Sequence, residues 1–342
     1  MTLLQTSISV IIPAYNAAQT LGECLDALRK QTVPREAYEV IVVDDGSTDE
    51  THLVAQSGGA RVIRQDNSGP AAGRNAGIAT SKGDLILFTD ADCVPAADWI
   101  ERMVEPLADP EISGSKGVYR TRQSSLAARF IQVEYEDRYD HTARQQYVDF
   151  IDTYAAGYRR RLLVDMGGFS TGFPLASVED QELSFRLAEA GHRMVFCPGA
   201  IVFHRHPESW IRYARRKFKI GYWKTLVLHL HPSKVWRDSH TPWNLKVQMV
   251  LAAASAPLVA LAPISLKMAW AAGAVGAMFA ATALPFLQKA WRRDRPVAWI
   301  SLPALYVRAW SLGLGLAAGK LSQLLRRGML WENLTKIERG PL

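Results

Sequence analysis

Cysteine is scarce in this 342-residue chain, and the three present, Cys24, Cys93 and Cys197, are far apart and lack CxxC spacing. That excludes a disulfide framework and the common zinc-ligand patterns, and a reducing compartment suits the chain. A basic N-terminal stretch is also missing. The apolar run Ile8–Ile12 is short and stops at Pro13, so it reads as a first β-strand, not a signal peptide. There is no internal repeat and no low-complexity segment. Charge is nearly absent from one region: residues 247–287 hold a single charged side chain, Lys267, whereas residues 1–240 carry charge throughout. That step is the clearest domain boundary in the sequence.

Positive charge is present in excess, with a net charge of +7. A basic balance points to a polyanionic partner. Much of the excess lies in 205–224 and 289–295, beside apolar stretches. This placement favours a membrane surface over nucleic acid, and no nucleic-acid partner is expected.

The first 90 residues alternate between two periodicities. Ile8–Ile12, Val40–Val43, Arg61–Ile63 and Leu85–Phe88 are short runs closed by polar or turn residues, as buried parallel strands are. Between them, Ala17–Lys30 places Leu21, Leu25 and Leu28 at helical spacing, and Ala71–Thr80 opens a second helix after Asn67-Ser68-Gly69-Pro70. Alternation of strand and helix predicts a doubly wound α/β domain. Such sheets bind ligands beyond the carboxyl ends of their strands. Here those ends carry Tyr15-Asn16, Asp44-Asp45 and Asp90–Asp92. Further on, Val178–Ala190 predicts a helix. Trp210–Trp223 sets Trp210, Ala214, Phe218 and Gly221 on one side and Arg212, Arg215, Arg216 and Lys219 on the other, the pattern of an amphipathic interfacial helix. Val247–Leu266 and Met268–Leu287 each supply 20 uncharged residues, and about 20 span a bilayer core. They predict a helical hairpin with basic flanks, which the positive-inside rule would place with both outer ends in the cytoplasm. Pro296–Lys320 is apolar but has Arg308 at its middle, with Arg326 and Arg327 following. A central arginine is costly in hydrocarbon, so a re-entrant or interfacial helix pair is expected over 296–327, with a third span as the alternative. The expected organisation is therefore 1–207 catalytic, 208–240 interfacial helix and linker, and 241–342 membrane region.

Five segments could carry chemistry. Asp90 and Asp92 follow the strand Leu85–Phe88 directly. Two carboxylates at i, i+2 can converge on a hard divalent cation such as Mg²⁺ or Mn²⁺, which bridges protein carboxylates to phosphates. Asp44 ends a buried strand and could accept a hydrogen bond from a base; the same segment could also serve as a helix cap. Arg74, near a helix start among small residues, can reach a phosphate or base. Glu179 and Asp180 stand at a helix start, where the dipole favours carboxylates, and one could take a proton from an attacking hydroxyl. His204 or His206 could ligate a metal.

SVIIPAYNA, VVDDGSTD, NSGPAAGRNAGI, FTDADC, MGGF and VEDQELSFRLAEAGHR stand in the order found in glycosyltransferase family 2, which residues 7–207 resemble. The resemblance implies a GT-A fold, a nucleoside-diphosphate sugar donor (a UDP- or GDP-sugar), a divalent metal and inversion at the anomeric carbon. It implies donor contacts at Pro13, Tyr15, Asp44, Arg74, Asp90 and Gly157, metal contacts at Asp90, Asp92 and His204, and Asp180 as the base, paired with Glu179. The QxxRW motif of processive members is missing; the corresponding region reads Arg215-Arg216-Lys217-Phe218-Lys219. The chain is therefore expected to add one sugar per event, on the cytoplasmic face of the inner (plasma) membrane, to a lipid or lipid-linked acceptor. A soluble or protein acceptor is the alternative. A non-catalytic donor-binding subunit of a polysaccharide assembly complex is a third reading, against which the four acidic residues argue.

Overall fold

The computed structural model describes residues 7–173, 178–235, 239 and 241–325. Arg326 and Arg327 lie outside the described residues. The predicted strands all form, as β1 (Ile8–Ala14), β2 (Tyr38–Asp45), β3 (Arg61–Gln65) and β4 (Leu85–Phe88). Helices α1 (Leu21–Arg29), α2 (Thr51–Ser57) and α3 (Pro70–Thr80) connect them. β1, β2, β3 and β4 pair in parallel. The Val and Ile side chains of β1, β2 and β4 are buried on both faces of the sheet, which is why these runs are continuously apolar rather than alternating. Gly77 lets α3 lie directly on β1, because a Cβ there would strike the Ile11 side chain.

The sheet continues past β4 with mixed polarity. β5 (Cys93–Pro95), α4 (Trp99–Val104), β6 (Ile112–Arg120), α5 (Leu126–Thr142), β7 (Ala156–Arg159), α6 (Arg160–Asp165), α7 (Glu179–Glu189) and β8 (Arg193–His204) follow in the chain. The eight strands run in the order β3-β2-β1-β4-β7-β6-β8-β5. β7 is antiparallel to both β4 and β6, and β8 is parallel to β6. The long helix α5 escapes a periodicity search because its buried face is mixed, with Glu134, Tyr135 and Tyr139 among the apolar residues.

Helix α8 (Trp210–Leu230) is longer than its amphipathic pattern, and the stripe it buries within the protein is set by tertiary contact. Tyr213, Lys217 and Gly221 are buried, while Ile211 and Phe218 are exposed. The reason is a second partner: α8 packs along α11 (Arg295–Leu325). A Cβ on Gly221 would meet the Leu312 carbonyl, and one on Gly319 would meet Thr225, so the two backbones touch at glycines. The apolar hairpin forms as α9 (Trp243–Leu261) and α10 (Leu266–Arg293), with its turn at Ala262–Ser265 rather than around Lys267. The expected helix pair after it is instead one continuous helix, α11, despite the internal Pro303. α9, α10 and α11 are each long and apolar enough to cross a membrane. They also expose large apolar side chains, among them Ile264, Leu266, Trp270 and Trp299 (75% exposed). Apolar surface on that scale marks an interaction face. The arginine that argued against a span is paired: Arg308 donates to Gln248 of α9 at 2.8 Å and lies 3.7 Å from Glu134 of α5.

Candidate active site

The carboxyl ends of β1, β2 and β4 form one crevice, and its walls are tied by hydrogen bonds. Asn16 holds a left-handed backbone (φ 49°), accepts from the Thr48 amide at 2.9 Å and donates its own amide to Ser47 Oγ at 2.9 Å. Asp44 is fully buried; it accepts from the Ser47 amide at 3.0 Å and lies 3.1 Å from Arg64 Nε. Its neighbour Asp45 has a different task. It accepts from the amides of Ser68 and Gly69 at 2.9 and 2.8 Å and so fixes the loop that starts α3. Pro13 is half-buried at the end of β1, and the Tyr15 ring is 53% exposed at the rim.

Arg74 is 4% exposed. Its guanidinium donates to Glu179 at 2.8 Å and to Asp90 at 3.3 Å and lies 5.5 Å from the centre of the Phe169 ring. It joins the end of β4 to the start of α7 and sets the spacing of the two acidic segments. Gly157 sits inside β7, where a Cβ would strike Ser115 Oγ and come 3.0 Å from Leu87, so strand packing requires a glycine there.

Asp90, Asp92 and Cys93 offer ligand atoms within 4.8 Å of one another, the cluster of this kind among the described residues. Burial pushes the Cys93 thiol well above its ordinary value, so it stays protonated and is a poor partner for a hard cation. The two carboxylates are the oxygen donors that Mg²⁺ or Mn²⁺ takes. His204 is not part of that triplet; its Nε2 lies 3.1 Å from Asp92 Oδ2, and its ring stacks on Tyr119 at 4.5 Å. For Asp92, burial acts to raise the pKa, but the His204 hydrogen bond and charge outweigh it and hold the carboxyl below its ordinary value. Burial and the adjacent Asp92 push Asp90 up, against the pull of Arg74.

Asp180 lies in the first turn of α7. It accepts from the Gln181 amide at 2.8 Å and the Thr153 amide at 3.4 Å. Burial, then Glu179 and Asp152, push its pKa well above the ordinary carboxylate range. A carboxylate raised in this way is suited to accept a proton. Below it lies an aromatic floor absent from the sequence expectations. Tyr119 stacks on Tyr154 at 3.3 Å, Tyr139 and Tyr154 share a hydrogen bond of 2.8 Å, and Lys116 pairs with Asp152 at 2.7 Å. No short-range motif marks these residues; only the mixed sheet brings β6, α5 and the 152–155 turn together.

A cavity of about 700 Å³ opens beside Asp90, Glu179 and Asp180 and continues between α8, α9 and α11. A second, of about 950 Å³, lies on the Asp92 and His204 side, and Arg216 borders both.

A mixed sheet whose β1–β4 half is parallel, with a carboxylate pair at the end of β4 and a base candidate at the start of α7, has the arrangement of a GT-A nucleotide-sugar glycosyltransferase. Residues 9–167 match the family model described as Glycosyl transferase family 2. The chain is 29% identical to "Glycosyltransferase AglE" of Haloferax volcanii over 235 residues, 65% of this chain and 74% of that one. It is 30% identical to "Pre-mycofactocin glycosyltransferase" of Mycobacterium tuberculosis over 240 residues, 66% of this chain and 48% of that one. Thus it spans about three quarters of the archaeal relative and about half of the mycobacterial one. Among solved structures, the mannosyltransferase PcManGT from Pyrobaculum calidifontis, a complex with GDP-Man and Mn²⁺, has a TM-score of 0.57 at 22% identity, covering 93% of this chain and 87% of that one. That likeness is one of fold, and it extends into the C-terminal helices. Residues 9–167 thus form a glycosyltransferase family 2 domain.

Proposed function

We propose that this transferase is inverting and metal-dependent and adds a single sugar to a membrane-associated acceptor, lipid or lipid-linked, at the cytoplasmic face. One observation carries the reading: the same cavity has Asp90, Glu179 and Asp180 at one end and Met249, Val250, Leu312 and Leu316 of α9 and α11 at the other. An acceptor with an apolar tail can lie along those helices while its hydroxyl meets the carboxylates. A UDP- or GDP-sugar would sit in the crevice, with its base at Asp44 and Tyr15 and its diphosphate towards Asp92. The chemistry of Asp90 and Asp92 fits Mn²⁺ or Mg²⁺, which when bound would neutralise charge on the departing diphosphate. The acceptor oxygen attacks the anomeric carbon, the bond from that carbon to the diphosphate oxygen breaks, and Asp180 takes the hydroxyl proton. A single displacement inverts the centre. Glu179 acts through Arg74, which positions Asp90 relative to Asp180.

The interfacial placement of α11 draws support from its contacts. Residues of the globular domain and α8 touch it from Asp294, paired with Arg129 at 2.6 Å, to Ser322, bonded by Tyr222 at 3.0 Å. A helix covered along that length by a water-facing domain would lie at the membrane surface, with the α9–α10 hairpin inserted. The basic flanks Lys246, Lys289, Arg292 and Arg293 would keep both hairpin ends on the cytoplasmic side.

The test is transfer by the full chain in detergent, with labelled UDP- and GDP-sugars, Mn²⁺ or Mg²⁺, and a membrane lipid extract. Label is expected in the organic phase, dependent on extract and on metal. Label confined to a water-soluble product would refute the lipid acceptor, and equal transfer in excess EDTA would refute the metal.

A further inference from the structure

Among the carboxylates lining the cavity that runs on between α8, α9 and α11, three adjoin one another: Asp152, Glu179 and Asp180. Two of them have a buried cation as partner. Arg74 lies 2.8 Å from Glu179, and Lys116 of β6 lies 2.7 Å from Asp152. Asp180 is held by backbone amides and makes no ion pair among the described residues. Lys116 also reaches the loop that presents one of those amides. It is 2% exposed. Its ammonium donates to the Phe150 carbonyl at 3.1 Å and lies 4.4 Å from the centre of the Phe150 ring. Phe150 and Asp152 are thus both fastened to one side chain of β6. Between them, the Ile151 amide donates to Ser184 Oγ at 3.0 Å, and that hydroxyl donates to the Asp180 carbonyl at 2.7 Å. Thr153, next in the chain, donates its amide to Asp180 Oδ2 at 3.4 Å. As a stabilising device the buried ion pair is poor, because apolar side chains of similar volume are buried at less cost. What apolar side chains could not supply here is charge.

We infer that Lys116 and Asp152 are a positioning pair for Asp180: the buried ammonium holds the 150–153 loop with the Thr153 amide towards the Asp180 carboxyl, and by neutralising Asp152 it leaves Asp180 as the one of the three carboxyls that exchanges a proton. The inference rests on Asp180 as the base, proposed above, and adds what gives that role to Asp180 and not to its neighbour Asp152. Two carboxyls without cations in one low-dielectric cavity would share a proton, and neither would be fully available to accept one. Burial, Glu179 and Asp152 push Asp180 up, so removing one or the other member of the pair moves it in opposite directions. The other groups facing the pair stay in place. Arg74 and Tyr158 face Asp180, and Arg138, Tyr139 and Tyr154 face Asp152.

The experiment follows the Asp180 carboxyl itself, by infrared pH titration of the full chain in detergent. Its protonated-carboxyl band is the one lost in Asp180→Asn. Asp152→Asn is expected to move the midpoint of that band down by about one pH unit, and Lys116→Met up by about one, the smaller end of what a single neighbouring charge does. The Lys116→Met/Asp152→Asn double variant, which leaves neither charge buried alone, is expected within about half a unit of the natural chain. Nucleotide release from UDP- and GDP-sugars with a membrane lipid extract should show the same displacements in its acid limb, with donor affinity unchanged. A midpoint unmoved by Asp152→Asn, or moved the same way by both single variants, overturns the inference. Turnover lowered equally at every pH, with the midpoint fixed, makes the pair structural only and overturns it too. If Lys116→Met does not fold, Asp152→Asn and the double variant decide the matter: a midpoint that falls in the first and returns in the second supports the pair, and any other result overturns it. A band that moves as expected over a turnover limb that stays fixed supports the pairing and overturns Asp180 as the base, so the two failures are distinct.

Discussion

Two buried charge clusters face the same cavity, and they are unbalanced in opposite directions. In one, Arg74 stands between Asp90 and Glu179, with Asp180 beside it. In the other, Lys217 and Arg308 stand about Glu134. Negative charge exceeds positive in the first, and Asp180 is pushed up. Positive charge exceeds negative in the second. Burial there acts to raise Glu134, but Lys217, Arg308 and Arg138 outweigh it and hold the carboxyl down at about 2; burial also pushes Lys217 down to about 8. A purely structural buried cluster gains nothing from an excess of one sign, because each uncompensated charge is desolvated without return. The acidic excess suits a proton acceptor and a cation site. The basic cluster joins α5, α8 and α11.

The comparison breaks first at Asp180. Asp180→Asn is expected to lower kcat by about 10²–10⁴-fold, the span of general-base catalysis, with donor affinity within about twofold. In the natural chain, kcat should rise with pH along a limb above the usual carboxylate range, since the raised group must lose its proton to act. Steady-state release of nucleotide and donor titration check both; a variant at the natural rate would remove Asp180 from the mechanism.

The second break is Glu134→Gln. It leaves Lys217 and Arg308 buried without their carboxylate and is expected to destabilise the chain by about 3–5 kcal/mol, read as a lowered denaturation midpoint in detergent. Lys217→Met added to it should recover part of the loss, since the two are coupled. The pH dependence has a definite sign. The folded carboxyl titrates near 2 and the unfolded one near its ordinary 4.5, so its contribution of about 3 kcal/mol is complete above pH ~4.5 and is lost as pH falls towards 2. The variant should lack that acid limb.

The smallest effect separates ligand from bystander in the acidic cluster. Asp92→Asn is expected to weaken Mn²⁺ binding by about tenfold or more, and Cys93→Ser by less than about twofold, because a protonated thiol contributes little to a hard cation. Paramagnetic titration of Mn²⁺ reads both. Equal losses would place the sulfur in the metal site.

Much of the catalytic half was legible because its signals are local. A strand buried on both faces is apolar at successive positions, and its polar end follows immediately in the chain, so Asp44, Asp90 and Asp92 are found by proximity to β2 and β4. Glu179 and Asp180 are found in the same way, from the start of α7. The periodicity of α8 was also visible, but the stripe it buries within the protein was not: Phe218 is exposed, and the buried stripe holds Lys217. The pairing of α8 with α11 makes that choice, and nothing within α8 announces α11.

What the amino-acid sequence by itself determined was each element that closes within a few residues: the parallel strands, the acidic turns and the long uncharged helices. Their physical causes, backbone hydrogen bonding and side-chain periodicity, act over short stretches of chain. Only the tertiary structure decided what Arg74, Glu134, Lys217 and Arg308 do. Their partners lie 105, 83 and 60 residues away in the bonds Arg74–Glu179, Lys217–Glu134 and Arg308–Gln248. A buried charge takes its role from whichever opposite charge or dipole the fold brings to it in a low-dielectric interior. For the same reason one continuous cavity, from Asp180 to Leu316, is a property of the packed helices and of no single segment.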